Sequence, residues 1–216
     1  MSQIERARQR TKLDYKIIKS GSSGNAVRVE NVMFECGVPF KDMEEELYKV
    51  RYLIITHKHS DHLNMTTYKR IRRKFPRIKF IANWSVASRV PIDEITGDST
   101  TIKTKDWTIE SFPAVHDVPC HGYVLKKDGL NILYITDTSS MEFAPKYKYD
   151  YFFMESNHDE AKINAIRNTG KKLYGYDVWE GAMRHLSIQK AKAFYWMHRR
   201  NESSPFIELH KSERFY

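Results

Sequence analysis

A layered α/β domain is the fold class that this chain of 216 residues predicts, and three observations carry it. Short β-rich runs recur from Tyr15 to the chain end, segments of helical spacing lie between and after them, and nothing repeats with a solenoid-like period. The length suits one sizeable core, so residues 1–216 are read as a single domain.

The elements follow in order. DYKIIKSG, NAVRVENVMFECG and RYLIITH alternate or cluster apolar residues as strands do, and KDMEEELYKV between them has helical spacing. TTYKRIRRKF predicts a helix and IKFIANW a strand, and TTIKTKDWTIESFPAV predicts a hairpin turning near Lys105 and Asp106. HGYVLKKDGLNILYITD is a second hairpin with KKDG as its turn, and DYFFMESN is a buried strand. HDEAKINAIRN and SIQKAKAFYWMHRRN are helical, and PFIELH closes the chain as a strand.

Composition excludes several classes. With 41% hydrophobic and 29% charged residues, and only nine glycines and seven prolines, the chain is neither disordered nor fibrous. MSQIERARQRTKLDYK has no apolar centre, so it predicts neither a secretory signal nor a spanning helix, and no membrane association is expected. Two cysteines, Cys36 and Cys120, are too few for a disulfide framework and suit a reducing compartment, hence a cytoplasmic location. Thirty-six Lys and Arg against 27 Asp and Glu give a net charge of +9, which favours a polyanionic partner. The densest basic run is KRIRRKFPRIK, Lys69 to Lys79, whose ordinary reading is a solvated helix face with its exit loop.

The chemistry concentrates in ITHKHSDH, Ile55 to His62. His57, His59, Asp61 and His62 follow an apolar strand directly, so they occupy the loop at its carboxyl end, where side chains are presented into clefts. On a helix, His57 and His59 would point apart; in a tight loop both imidazoles can face one ion while Asp61 and His62 face another. Imidazole with carboxylate suits zinc, and also manganese or iron. His116, Asp137 and His210 recur in the same strand-end context, after FPAV, ILYIT and FIEL, and supply the further ligands a dinuclear site needs.

These residues resemble the metallo-β-lactamase superfamily, whose HxHxDH signature is present as His57, His59, Asp61 and His62. SGSSGN at Ser20, the pair His116–Asp117, TDT at Asp137, ESNHD from Glu155 to Asp159 and HLS at His185 are similar to its YycJ-type branch, which is close to ribonuclease Z. The resemblance implies a four-layer αββα sandwich holding two divalent metal ions, zinc first and manganese as the alternative. By position, His57, His59 and His116 would hold one ion; Asp61, His62 and His210 would hold the other; and Asp137 would bridge them. An aspartate there, where the hydrolytic lactamases carry cysteine, argues for attack on phosphorus rather than on an antibiotic ring.

The catalytic residues implied are Asp61, which binds metal and orients water; His185, which donates a proton to the leaving oxygen or stabilises its charge; and His158, which contacts substrate or supports the site. His158 has an equally ordinary reading as a helix-start histidine packed near Glu155. Glu35 in FECG stands where the superfamily usually has aspartate and would support the site through its longer side chain. The SGSSGN turn is read first as a hairpin turn, with proximity to the site as its second reading.

Asp137 follows His116 by only 21 positions, which leaves no room for the tRNA-binding arm of ribonuclease Z and weighs against tRNA maturation. The reading is a metal-dependent phosphodiesterase, a nuclease or exonuclease on DNA. The alternative is a cyclic-nucleotide phosphodiesterase of the phage anti-Pycsar type, and a second alternative is a non-catalytic nucleic-acid-binding module. The branch is also compatible with a homodimer.

Overall fold

Two six-stranded sheets stack face to face in the computed structural model, which describes residues 13–168 and 177–216. The first sheet runs β1 (Tyr15–Lys19), β2 (Ala26–Val29), β3 (Val32–Phe34), β4 (Tyr52–Ile55), β5 (Lys79–Asn83) and β6 (Glu94–Thr96), in that spatial order. The second is built from β7 (Thr101–Lys103), β8 (Thr108–Ala114), β9 (Cys120–Lys127), β10 (Leu130–Ile135), β11 (Tyr151–Glu155) and β12 (Phe206–Leu209), again in sequence order. Each sheet begins with antiparallel hairpins and continues with parallel pairs, β3 to β6 in the first and β10 to β12 in the second.

Helices cover the outer faces. Beside the first sheet lie α1 (Phe40–Leu47), α2 (Met65–Lys74) and the short α3 (Trp84–Ala87); α6 (Ile188–His198) covers the second, and α4 (Glu160–Asn168) and α5 (Val178–Ala182) pack on each other. The two-residue strand period assigns the layers. Leu53 and Ile55 join Met43, Leu47 and Ile71 in one cluster, while Ile54 between them packs with Ile109, Tyr134 and Phe153 in another. Phe152 and Met154 likewise face Leu186, Ala191 and Phe194. Three apolar interfaces between successive layers make the αββα sandwich. They also explain why the central strands read as continuous apolar runs, since each buried Leu, Ile or Phe contributes roughly 1.5–3 kcal/mol on either face.

The sequence-expected elements appear with shifts of a few residues. NAVRVENVMFECG folds as two strands about Glu30 and Asn31, Glu30 having φ 52°. The KKDG turn narrows to Asp128 and Gly129, both left-handed, with φ 50° and 76°. The short α3, β6 and α5 carried no periodic signal, being three to five residues long. No described helix is long and apolar enough to cross a membrane.

Topology gathers the strand ends. Because β8, β10, β11 and β12 all run the same way, His116, Asp137, Glu155 and His210 emerge at one edge of the second sheet. The loop after β4 delivers His57 to His62 beside them, as the contacts between the two groups show.

Candidate metal centre

The loop from Thr56 to Asn64 is held by neighbouring backbone. Asn25 N donates to Asp61 O at 2.7 Å, Cys36 N to His62 O at 3.0 Å and Gly37 N to Asn25 O at 3.0 Å. Gly37 lies so close that a Cβ on it would sit 1.6 Å from Asp61 O, so FECG ends in glycine for want of space. Gly37→Ala should therefore displace the loop, lowering stability by about 1–3 kcal/mol and weakening metal retention. Thermal melts and metal analysis check it; an unchanged melting temperature with full metal content would refute the clamp.

Three ring nitrogens form the first cluster: His57 Nε2 lies 3.1 Å from His59 Nδ1, which lies 3.3 Å from His116 Nε2. Tetrahedral zinc with Zn–N near 2.0–2.1 Å would hold its ligands about 3.3 Å apart. The orientation is set from behind, since His57 Nδ1 faces Thr56 Oγ1 at 2.9 Å and Cys120 Sγ at 3.6 Å. Burial, with His62 nearby, holds the His57 imidazolium well below its ordinary range, and burial lowers His116 too. His57 and His116, whose lone pairs converge with little tendency to bind a proton, suit a cation better than one another.

The second cluster is charged. His62 Nε2 lies 3.3 Å from Asp61 Oδ2 and 3.0 Å from Asp137 Oδ2, and His210 Nε2 lies 3.9 Å from Asp61 Oδ2 and 3.6 Å from Asp137 Oδ1. Asp137 thus presents one oxygen to each histidine, and it also groups with His57 and His62. Burial opposes charge on all of them, yet Asp137 and Glu35 hold His62 well above its ordinary range. Asp137 with Asp61 raises His210 to about 10, and the two histidines hold Asp137 well below the carboxylate range. Among the described residues His210 Nε2 is buried without a hydrogen-bond partner while facing two carboxylates, as a metal ligand would be.

Carboxylates stand behind two of these rings. Glu35 Oε1 is 3.3 Å from His62 Nδ1, the contact its sequence position suggests, and Glu155 Oε1 is 3.2 Å from His210 Nδ1. Both acids are fully buried, and such partners fix a ligand histidine's tautomer and raise its basicity. Glu35, Asp137 and His210 also have left-handed φ of 68°, 52° and 51°, so three of the five such non-glycine residues described lie here.

His185 is brought to the same edge. Its Nδ1 lies 2.7 Å from Glu155 Oε1 and 3.7 Å from Asp137 Oδ1, while Glu155 Oε2 accepts from Thr138 N and Leu186 N. His158 joins none of the ligand groups. Among the described residues its buried Nδ1 has no partner, and it lines a cavity of about 270 Å³ shared with His185. His121 has an ordinary role, paired with Thr96 and Asp98.

Sequence reasoning missed three residues. Asn25 of the SGSSGN turn places Nδ2 3.0 Å from His62 Nε2 and 3.3 Å from Asp61 Oδ2, and Ser20 Oγ accepts from His210 N at 2.8 Å. The turn therefore abuts the site as well as linking β1 to β2. Glu155 was quoted only within a motif, although it ends the apolar strand YFFME as Asp137 follows LNILYI, and that strand-end signal was available.

The sandwich, the five strand ends and the shared aspartate now stand together, and the family model for the beta-lactamase superfamily domain matches residues 24–198. The chain belongs to the metallo-β-lactamase superfamily. Among solved structures of this fold, YhfI from Bacillus subtilis is 12% identical with a TM-score of 0.67 over 94% of this chain and 88% of that one. Human tRNase Z, short form, is 15% identical at 0.65 over 93% of each chain. A diphosphatase of the PhnP family is 15% identical at 0.62 over 93% and 87%. No curated protein matches the chain by sequence. Superfamily membership implies a metal-dependent hydrolase, and the converging histidines and carboxylates fit divalent cations.

Proposed function

We propose that residues 1–216 form one hydrolase domain that cleaves phosphodiester bonds with two divalent cations, zinc first and manganese as the alternative, and that its substrate is nucleic acid, DNA foremost. His57, His59 and His116 hold one cation, Asp61, His62 and His210 hold the other, and Asp137 serves both. The observation that carries this is Asp137, which presents one carboxylate oxygen to His62 and the other to His210 while grouping with His57.

When bound, the cations polarise the phosphate and lower the pKa of a water. Asp61, half-buried, would orient the attacking water. His185, oriented by Glu155 from behind, gives its proton to the leaving oxygen. His158 contacts the flank of the substrate from the neighbouring cavity. The location proposed is cytoplasmic, and a homodimer is compatible with this arrangement.

A second reading is favoured by one feature. The cavity beside His185 and His210, lined by Ser22, Lys211, Ser212 and Arg214, measures about 460 Å³, within the size range of small-ligand sites, and it suits a cyclic mononucleotide. Incubating the metal-loaded protein with linear DNA, RNA and a panel of cyclic nucleotides decides between them. DNA cleavage that weakens steeply with salt supports the first reading, and salt-insensitive cyclic-nucleotide turnover supports the second. No turnover of any phosphodiester, with metals bound, would leave only a non-catalytic binding module.

Metal uptake should be proton-coupled. His210, raised to about 10, carries at neutral pH a proton that a metal must displace, so affinity should rise about tenfold per pH unit for each proton released between pH 6.5 and 10. The sign follows for stability as well: this proton stabilises the metal-free fold fully below 6.5 and ceases to as pH rises through about 10. Calorimetry in buffers of different ionisation enthalpy reads the released protons, and a pH-independent affinity would contradict the assignment of His210.

A further inference from the structure

The metal centre leaves the basic run Lys69 to Lys79 unused. α2 starts beside the metal loop, capped by Asn64, and its ten residues carry the chain about 15 Å towards the opposite end of the first sheet. MTTYKRIRRK contains no acid. At its far end lies a groove of about 870 Å³, walled by the loop after α1, the segment from Lys74 to Lys79 and the β7–β8 turn at Lys105.

Charge along this path is only partly compensated. Arg51, Arg72 and Lys74 pair with Asp106, Asp93 and Glu44, but among the described residues no acid pairs with Lys69, Arg73, Arg77, Lys79 or Lys105, all exposed. A basic last turn does stabilise its own helix, which accounts for Arg73. It does not account for Arg77, Lys79 and Lys105, which lie outside the helix and face the same groove. Aromatic surface is interleaved with them. Tyr48 is 70% exposed and stands edge-on to Phe75, ring centroids 5.0 Å apart.

We infer that the α2 ridge and this groove are a docking surface for single-stranded nucleic acid, with Arg73, Arg77 and Lys79 neutralising phosphates and Tyr48 offering a ring for a base to stack on. Cations tracking a backbone beside an exposed ring are what sequence-tolerant single-strand binding requires. The ridge spans roughly four or five nucleotides at the spacing of a stacked strand, so one polymer can occupy groove and metal centre together. A mononucleotide cannot. The inference extends the nuclease reading, but its test needs only binding.

The test is fluorescence anisotropy of labelled phosphorothioate dT20, which resists hydrolysis, with the full chain across a salt series. Wild type should bind, and R73E/R77E/K79E should bind at least about tenfold more weakly at low salt, with a slope of log K against log salt reduced by about 2. Tyr48→Ala should weaken binding by about fivefold or more with the slope unchanged. Melting temperatures equal to wild type show that the variants fold. No binding by wild type, or a triple variant within twofold of it at equal slope, would overturn the inference. Intact binding without DNA cleavage in the presence of metal would count against the nuclease reading alone.

Discussion

Asp137→Asn should fold and yet lose turnover of bis-p-nitrophenyl phosphate by more than about 10³-fold, beyond the loss expected from one electrostatic donor. In two-metal sites the cations stand about 3.5–4 Å apart and repel, and a carboxylate between them offsets that repulsion. Asp137 would be the group so placed: Oδ2 is 3.0 Å from His62 Nε2 and Oδ1 3.6 Å from His210 Nε2, with Thr136 Oγ1 donating to Oδ2 at 2.8 Å. Asparagine keeps the shape and removes the charge. Metal content should fall below two per chain, and His62 and His210, whose protons Asp137 helps to hold, should titrate lower. A variant with two metals and activity within tenfold of wild type would show that Asp137 bridges nothing.

Much of this centre was legible in the sequence because strand ends are local features. An apolar run ending in His or Asp can be read without knowing which strands pair, and His57, His116, Asp137 and His210 were found in that way. Asn25 and Ser20 were harder because their partners Asp61 and His210 lie 36 and 190 residues away, and only the sheet order brings them together. The layers were legible for a related reason. Leu53, Ile54 and Ile55 are all apolar, which says that both faces of β4 are covered; which face meets helices and which the second sheet is decided by packing. The basic run was visible too, but its relation to the metal loop depends on the direction in which α2 leaves Asn64.

His185→Ala should separate two classes of substrate. Its loss should cost roughly 10²–10⁴-fold on a thymidine dinucleotide, whose alkoxide leaving group needs a proton, and under about tenfold on bis-p-nitrophenyl phosphate, whose phenolate does not. Burial alone would lower the His185 pKa, but the Glu155 carboxylate 2.7 Å away, with Asp137, raises it above the ordinary histidine value. A general acid works only while protonated, so dinucleotide cleavage should fall as pH rises through that raised pKa. Glu155→Gln removes the main raising charge, and the alkaline limb should move to lower pH. Because Glu155 also touches His210 Nδ1, metal content must be read alongside. A shifted limb with both metals retained identifies His185 as the acid that Glu155 tunes. Equal losses on both substrates in His185→Ala would show instead that the imidazole acts on charge common to the two transition states, before either leaving group departs.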